Sequence, residues 1–198
     1  MRQLLYLHGF RSSPASIKAQ QTAAEMRRRG YAKHFHCPAL PNTPDGAIAL
    51  LDELLTRLDP AGLTVVGSSL GGFFATWLAE KVACRAVLVN PAVRPYQHLA
   101  NLLGEHENLY TGERFVVTAG HMDQLRALEP AQIHPDRYWL LAETADEVLN
   151  YREAVDYYAG CRQSIYEGGD HSFQRWEALL PSVLDEAGFP APEPGHAA

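Results

Sequence analysis

The chain has 198 residues, 46% of them hydrophobic and 20% charged, which is enough to bury one sizeable core and short for two full domains. Its 17 Lys and Arg residues face 23 Asp and Glu residues, so the net charge is −6, and no basic block is present. The chain thus lacks the clustered positive charge of a protein that binds nucleic acid or an anionic membrane, and we exclude these two classes of partner.

Hydropathy and cysteine content indicate the compartment. The first apolar run, Leu4 to Leu7, ends at His8 and Gly9, and no later run approaches the roughly 18 apolar residues of a membrane span. The three cysteines lie far apart without a C-x-x-C pair, which predicts neither a disulfide framework nor a zinc site. We therefore expect a cytoplasmic protein with no secretory signal and no membrane anchor.

Six short apolar runs alternate with stretches of helical periodicity along the chain. The predicted strands are Leu4 to Leu7, Lys33 to Cys37, Leu63 to Gly67, Arg85 to Val89, Arg137 to Ala142 and Cys161 to Tyr166. The predicted helices are Pro14 to Arg29, Pro44 to Leu58, Leu70 to Val82, Val148 to Ala159 and Ser172 to Ala187. This alternation predicts an α/β fold: a doubly wound, mainly parallel six-stranded sheet with helices on both faces and strand order 2-1-3-4-5-6.

The connection between the fourth and fifth predicted strands is far longer than one crossover requires. We interpret residues 91–136 as a lid-like excursion above the sheet, with two predicted helices near Tyr96 to Glu105 and Ala119 to Leu128. Residues 1–188, including this small helical lid, form a single predicted domain. Residues 189–198 are rich in proline and predict a flexible tail.

The third predicted strand ends in Gly67-Ser68-Ser69-Leu70-Gly71, which matches the pattern G-x-S-x-G. An amphipathic helix follows directly, so Ser69 stands at a sharp strand-to-helix turn. Such a turn crowds the backbone, requires glycine two residues before and after the serine, and exposes the serine hydroxyl at the carboxyl edge of the sheet. Ser69 is therefore the predicted nucleophile, and a tight structural turn is the alternative.

A serine hydroxyl needs a base within hydrogen-bond reach and a third group that orients the base. Among the nine histidines, His171 lies in a glycine-rich loop after the last strand, at the same sheet edge as Ser69, and it is the predicted base. The orienting acid should follow the fifth strand. Asp146 lies a few residues into that loop and is the predicted acid. Glu143, at the end of the strand, and Glu147, beside the start of the next predicted helix, are the alternatives.

Acyl transfer also needs N–H donors for the oxyanion of the tetrahedral intermediate. The backbone N–H of Leu70 begins the helix behind Ser69, and the N–H of Phe10 follows the first strand, which should lie beside the third. Phe10 is also a candidate for substrate binding. Three further candidates come from the excursion and the point where it leaves the active-site edge: Asn90, Pro91 and Tyr96.

The apolar residues of the excursion give its helices an apolar face. This face either packs on the sheet edge or forms one wall of an acyl pocket, which so short a lid would keep small. The second possibility predicts a preference for acyl chains of roughly two to six carbons.

The chain resembles the α/β-hydrolase superfamily, and within it the small YqiA-like esterases, over nearly its whole length from Gln3 to Glu186. The resemblance rests on five strings: Leu5-Tyr6-Leu7-His8-Gly9-Phe10 with Ser12-Ser13-Pro14, Gly67-Ser68-Ser69-Leu70-Gly71-Gly72, Val89-Asn90-Pro91-Ala92-Val93-Arg94-Pro95, Ala145-Asp146-Glu147-Val148-Leu149, and the Gly168-Gly169-x-His171 loop. It implies an esterase with Ser69 as nucleophile, Asp146 as acid and His171 as base, without a metal or organic cofactor.

Two positions depart from this family's usual pattern. Ala145 stands where the family usually has glycine, and Asn150 stands where it usually has aspartate. Because alanine tolerates positive φ poorly, the turn that carries Asp146 could differ from that of the family.

The predicted activity is the hydrolysis of a small carboxylic ester or thioester through an acyl-enzyme, with that small molecule as the only expected partner. A second hypothesis keeps the same three residues but cleaves an amide or a carbon–carbon bond. A third is a binding protein that retains an inherited pocket without catalysis.

Overall fold

The computed structural model describes residues 1–192 and contains eight strands within that range. The strands are β1 (Gln3–Leu7), β2 (Phe35–His36), β3 (Leu63–Ser68), β4 (Arg85–Val89), β5 (Gly104–Glu107), β6 (Arg114–Val117), β7 (Tyr138–Glu143) and β8 (Arg162–Tyr166). The α-helices are α1 (Ile17–Arg28), α2 (Pro44–Leu55), α3 (Leu70–Val82), α4 (Pro95–His98), α5 (Ala119–Ala127), α6 (Tyr151–Tyr157) and α7 (Trp176–Glu186).

Six strands form one parallel sheet in the order β2-β1-β3-β4-β7-β8. With β7 and β8 as the fifth and sixth strands of this sheet, the predicted order is confirmed. Successive strands are added on one side of β1 as far as β2 and on its other side from β3 onward, so the strand order reverses between β1 and β3. The carboxyl ends of these two parallel strands lie side by side where Leu7 pairs with Gly67. A crevice at such a switch point is the usual ligand site of an open α/β sheet.

Side chains alternate between two apolar cores, one on each face of the sheet. Leu5 and Leu7 of β1 enter the core covered by α2, α3 and α6, whereas Leu4 and Tyr6 enter the core covered by α1 and α7. The predicted helices on both faces are therefore confirmed. None of the helices within residues 1–192 is long and apolar enough to cross a bilayer.

Three predicted helices, α1, α6 and α7, begin later than the apolar periodicity indicates. Before α6 and α7, side chains at the sheet edge bind the preceding backbone. The carboxylate of Asp146 accepts hydrogen bonds from Val148 and Leu149, and helix α6 starts only at Tyr151. Residues 172–175 are likewise held in a loop before α7. The later starts of α6 and α7 leave polar loops free to reach the switch point.

The excursion is not purely helical, and the first of its two predicted helices is shorter than predicted and partly 3₁₀. Helix α4 ends after one turn and continues as a 3₁₀ turn over Leu99–Leu102, and β5 and β6 then form an antiparallel hairpin. Gly104, with φ of 119°, cannot extend a helix, and burial alternates along β5. The second predicted helix is present as α5.

The predicted tail starts one residue too early. Phe189 is 1% exposed and packs against Tyr31 at a ring-centroid distance of 5.2 Å. Its carbonyl accepts a hydrogen bond of 2.6 Å from the buried Arg29 side chain, so burial and hydrogen bonding both fix it to the body of the protein. Residues 193–198 of the predicted tail lie outside the described residues.

Candidate active site

Ser69 occupies the sharp turn between β3 and α3, with φ of 56° and ψ of −123°. A non-glycine residue with positive φ is uncommon, and such strain persists only where surrounding contacts enforce it. Here the Ser69 N–H donates to Val89 at 3.1 Å, and the Ser69 carbonyl accepts from Ala92 at 3.0 Å. Strand β4 and the residues after it thus hold the serine in its strained conformation.

Glycine is required on both sides of this turn, as the sequence motif predicts. A Cβ atom at Gly67 would lie 2.4 Å from the carbonyl oxygen of Gly71. A Cβ atom at Gly71 would lie 2.1 Å from the carbonyl oxygen of Leu7. The close approach of β1, β3 and α3 therefore depends on these two residues.

Ser69, His171 and Asp146 form one hydrogen-bonded chain. The Nε2 atom of His171 lies 3.0 Å from the Ser69 Oγ. The Nδ1 atom of His171 lies 2.8 and 3.0 Å from the two carboxylate oxygens of Asp146. Because the carboxylate can only accept, Nδ1 carries the proton of the neutral ring, and the lone pair of Nε2 faces the serine hydroxyl.

The backbone fixes Asp146 in its position. Its side chain is 2% exposed, and one oxygen also accepts the N–H groups of Val148 at 2.9 Å and Leu149 at 2.8 Å. Ala145, which stands where the family usually has glycine, fits this turn. Its φ is not positive, so glycine is not required there, and its N–H donates to the Gly168 carbonyl at 3.1 Å. Asn150 caps helix α6 through its hydrogen bond with Arg152.

Glu143, one of the alternative acids, does not contact the ring of His171. Its carboxylate is fully buried and accepts hydrogen bonds from the N–H of Asp170 at 2.9 Å, the N–H of Gln174 at 3.2 Å and the guanidinium of Arg175 at 2.9 Å. These donors lie on both sides of His171. Glu143 therefore holds the loop that carries the histidine.

Asn90 supports the same loop from the neighbouring strand. It is 3% exposed, donates through Nδ2 to the carbonyls of Asp170 at 2.9 Å and His171 at 3.3 Å, and accepts the N–H of Glu143 at 2.9 Å. The sequence predicts that Asn90 binds substrate, whereas in the structure Asn90 supports the loop of His171. Its position directly after a buried strand, at the carboxyl edge, was the available signal.

The two predicted oxyanion donors lie beside Ser69. A Cβ atom at Gly9 would lie 3.0 Å from the Ser69 Cβ and 3.5 Å from its Oγ, so the turn that carries Phe10 runs alongside the serine. Leu70 is the first residue of α3, where backbone N–H groups have no partner within the helix. Their role as donors to an oxyanion remains a prediction.

His8 holds this turn, a role that the sequence did not predict. It is 4% exposed, its Nε2 accepts the Leu40 N–H at 3.0 Å, and its Nδ1–H donates to the Gly9 carbonyl at 3.1 Å. Both contacts need the neutral ring with its proton on Nδ1. Burial lowers the pKa of His8 and favours that neutral form.

A small cavity of about 40 Å³ opens next to the Phe10 turn. Its walls include Phe10, Leu70, Phe74, Val117, Met122 and Leu125. On this scale one water needs roughly 10–15 Å³, so the cavity holds an acyl group of only a few carbon atoms. Helix α5 and the end of β6 close it from the excursion.

Of the four candidates for substrate binding, only Phe10 lines this cavity. Pro91 packs against Gly72 of α3, where a Cβ atom would lie 2.6 Å from the proline Cβ. The hydroxyl of Tyr96 donates to Glu129 at 2.6 Å. The structure thus places Asn90, Pro91 and Tyr96 in contacts that support the site and not in the cavity wall.

Comparison with known proteins shows the family and the fold. The sequence model of the family described as "Uncharacterised protein family (UPF0227)" matches residues 3–186. Alpha/beta hydrolase domain-containing protein 10 from mouse is 15% identical, with a TM-score of 0.64 over 93% of this chain and 88% of that chain. Est1E from Butyrivibrio proteoclasticus is 14% identical, with a TM-score of 0.63 over 93% of this chain and 86% of that chain.

An alpha/beta superfamily hydrolase from Oenococcus oeni PSU-1 gives a similar result, with 14% identity and a TM-score of 0.60 over 95% of this chain and 93% of that chain. At this level of identity the three similarities establish a shared α/β-hydrolase fold.

Proposed function

This chain belongs to the UPF0227 family, and we propose that it is a serine hydrolase that cleaves small carboxylic esters or thioesters through an acyl-enzyme. The observation that carries the proposal is the 3.0 Å contact between Ser69 Oγ and His171 Nε2, in a ring whose Nδ1 is held by Asp146. An unactivated serine hydroxyl is a weak nucleophile, and this arrangement supplies both the base and its orientation.

In the first half of the proposed reaction, His171 Nε2 takes the proton of Ser69 as its Oγ attacks the substrate carbonyl carbon. The negative charge that forms on the carbonyl oxygen is stabilised by the N–H groups of Phe10 and Leu70. His171 then gives its proton to the departing alcohol or thiol, and the acyl group remains bonded to Ser69. Asp146 stabilises the positive ring in between.

In the second half, water replaces the leaving group. His171 takes a proton from this water, the resulting hydroxide attacks the acyl carbon, and the proton returns to Ser69 as the carboxylic acid leaves. Apart from the substrate and this water, the groups that these steps use are side chains and backbone amides of the chain.

The small cavity supports short acyl groups. At roughly 10–15 Å³ per water, the cavity has room for about three waters, which suits an acetyl or butyryl chain, whereas a longer chain would press on the walls formed by Phe74, Met122 and Leu125. We expect kcat/KM to be highest for acyl chains of roughly two to six carbons and to fall steeply beyond them. A rate that still rises at the octanoate ester would instead indicate an open groove.

The experiment that tests the proposal measures hydrolysis of p-nitrophenyl acetate, butyrate, octanoate and palmitate by the wild type and two serine variants. Ser69→Ala should lower kcat at least about a thousandfold, because the acyl-enzyme can no longer form. Ser182→Ala makes the same chemical change at an exposed position of α7 and should leave kcat within about twofold. Equal activity of all three proteins would refute the proposal.

A further inference from the structure

A second cavity, of about 220 Å³, lies on the other side of the His8–Gly9 turn. It is bordered by the start of α1, by Ser68 at the end of β3, and by Ser172 and Gln174, which follow His171. His8 and Gly9 line both cavities, so this turn separates the small apolar cavity from the larger one, whose lining is mixed polar and apolar.

The position of this cavity relative to His171 indicates which part of a substrate it would receive. In acyl transfer the same imidazole that activates the serine gives its proton to the leaving group, so the leaving group lies on the histidine side of the reacting carbon. The larger cavity is bordered by Ser172, Phe173 and Gln174, the residues directly after His171. The acyl cavity has no wall from that loop.

The lining of the second cavity mixes polar and apolar residues and carries one cationic side chain. Within the described residues, Lys18 is the only Lys or Arg side chain of the wall, and no Asp or Glu belongs to it. The Lys18 ammonium donates to the Ser172 carbonyl at 2.6 Å. Since an ammonium group has three N–H donors, two remain for a ligand.

Burial and nearby carboxylates act on Lys18 in opposite directions. Burial lowers the pKa of Lys18 to about 8, although Asp170, Glu143 and Asp146 act in the opposite direction. A half-buried ammonium that has lost water regains stabilisation when it binds an anionic group. Among the described residues, Lys18 is the one cation in a wall that also includes Ser68, the residue before the reacting serine.

We propose that the second cavity binds the leaving group of the substrate and that Lys18 anchors a carboxylate on this leaving group. The preferred substrates are then short-chain esters or thioesters of hydroxy acids or mercapto acids. This inference rests on the proposed hydrolase function and adds the chemical class of the leaving group. The alternative is that Lys18 only ties α1 to the loop of His171.

The test compares leaving groups that differ in charge but little in shape. The substrates are 3- and 4-acetoxybenzoate and the matching 3- and 4-acetoxybenzamides, and the quantity measured is the ratio of kcat/KM between each acid and its amide. Comparing this ratio between proteins removes the intrinsic difference in reactivity. The proteins are the wild type, Lys18→Met, Lys18→Arg and Lys33→Met.

Lys33→Met is the matched control, because it removes the same charge at an exposed residue that does not line the cavity. We expect Lys18→Met to lower the acid-to-amide ratio about tenfold for at least one ring position, as loss of a charged hydrogen bond predicts. Lys18→Arg and Lys33→Met should keep the ratio of the wild type. A change of kcat for acid and amide alike in Lys18→Met would instead indicate a purely structural tie to the loop, and would overturn the proposal.

A binding measurement tests the carboxylate site at Lys18 independently of the proposed hydrolase activity. Calorimetry with 4-hydroxybenzoate and 4-hydroxybenzamide needs no turnover, and the acid should bind about tenfold more tightly to the wild type than to Lys18→Met. If both acetoxy substrates are hydrolysed but the acid binds all the proteins equally, the hydrolase function stands and the carboxylate site is refuted. If the acid binds through Lys18 and no ester is hydrolysed, the cavity is an anion site and the hydrolase function fails.

Discussion

Two buried carboxylates, Glu143 and Asp146, lie three residues apart at the end of β7. Their contacts give them different roles. Asp146 directs its oxygens at the ring of His171 and at the backbone of its own turn. Glu143 directs its oxygens at the backbone and the arginine that flank His171. The sequence could name both residues as candidates for the acid, and only the direction of their side chains separates them.

Asp146→Asn should lower kcat for p-nitrophenyl acetate by a factor of about 10³–10⁴, with a change of Tm of only a few degrees. The amide of asparagine can donate to Nδ1, which places the ring proton on Nε2 and removes the acceptor that faces Ser69. Steady-state kinetics and thermal unfolding measure the two quantities. A loss below tenfold would show that Asp146 does not orient the base.

Glu143→Gln should act mainly on stability. The buried carboxylate accepts from three or more donors, and the amide nitrogen of glutamine would have to face one of them. We expect the free energy of unfolding to fall by about 2 kcal/mol or more, as measured by urea denaturation. A stability equal to that of the wild type, together with a loss of kcat as large as for Asp146→Asn, would transfer the role of the acid to Glu143.

The pH dependence of stability should reveal His8. Its pKa in the folded state is lowered from 6.5 by burial, so below pH 6.5 the unfolded chain binds more protons than the folded chain at this residue. This contribution to stability is therefore present above pH 6.5 and is lost as the pH falls towards the lowered pKa of the folded state. Protonation also puts a hydrogen on Nε2, against the Leu40 N–H.

His8→Gln removes this titration, and the variant should lose less unfolding free energy between pH 7 and pH 5 than the wild type does. Urea midpoints at the two pH values measure the difference. His34→Gln is a suitable control, because the His34 ring lies at an exposed contact with the Arg2 carbonyl. Parallel losses in the wild type and His8→Gln would contradict the assignment of His8.

At the level of elements, the β5–β6 hairpin is fastened to the turn that carries the predicted oxyanion donor. Arg11 donates through Nε to the Glu107 carbonyl at 2.9 Å and accepts the Leu109 N–H at 3.0 Å. Asn108 donates to the Ser12 carbonyl at 2.8 Å. The excursion and the turn after β1 therefore hold each other in place.

Asn108→Ala should loosen this junction. Asn108 is 5% exposed, and its side-chain oxygen also accepts the N–H groups of Tyr110 and Thr111. Its loss should increase hydrogen exchange in the hairpin and lower kcat/KM for acetate esters about tenfold or more, because the Phe10 turn loses a support. The exposed Asn101→Ala is the matched control within the excursion, and equal exchange rates in both variants would contradict this coupling.

The bounds of an element could be predicted from the sequence where backbone sterics and the pattern of apolar residues indicate the same bounds. The bounds of α3 and β4 follow from the sequence, since Gly67 and Gly71 admit only one kind of turn and both strands beside it are buried. The β5–β6 hairpin was missed because Gly-Glu-His-Glu carries no apolar alternation. The hairpin packs through His106 and Phe115 on Phe10, a residue that is distant in sequence.

Across the whole molecule, the sheet order brings four separated segments to one edge. The pairing of β1 with β3 puts the Phe10 turn beside Ser69, and the pairing of β7 with β8 puts Asp146 beside His171. The predicted order of the parallel strands was sufficient to predict that these segments meet at one edge of the sheet. The cavity walls were not predictable, because Leu40, Phe74 and Met122 meet only through the packing of the excursion on α2 and α3.

The central claim is that residues at the carboxyl edge of the sheet activate the Ser69 hydroxyl as a nucleophile. Covalent labelling tests this claim most directly. The wild type is incubated with a fluorophosphonate, which reacts with activated serines, and the modified peptide is identified by mass spectrometry. We expect one label, on Ser69, that is absent from Ser69→Ala and at least about a hundredfold slower to form in His171→Ala, because the hydroxyl then has no base. No label on the wild type, or a label at a serine other than Ser69, would contradict the claim.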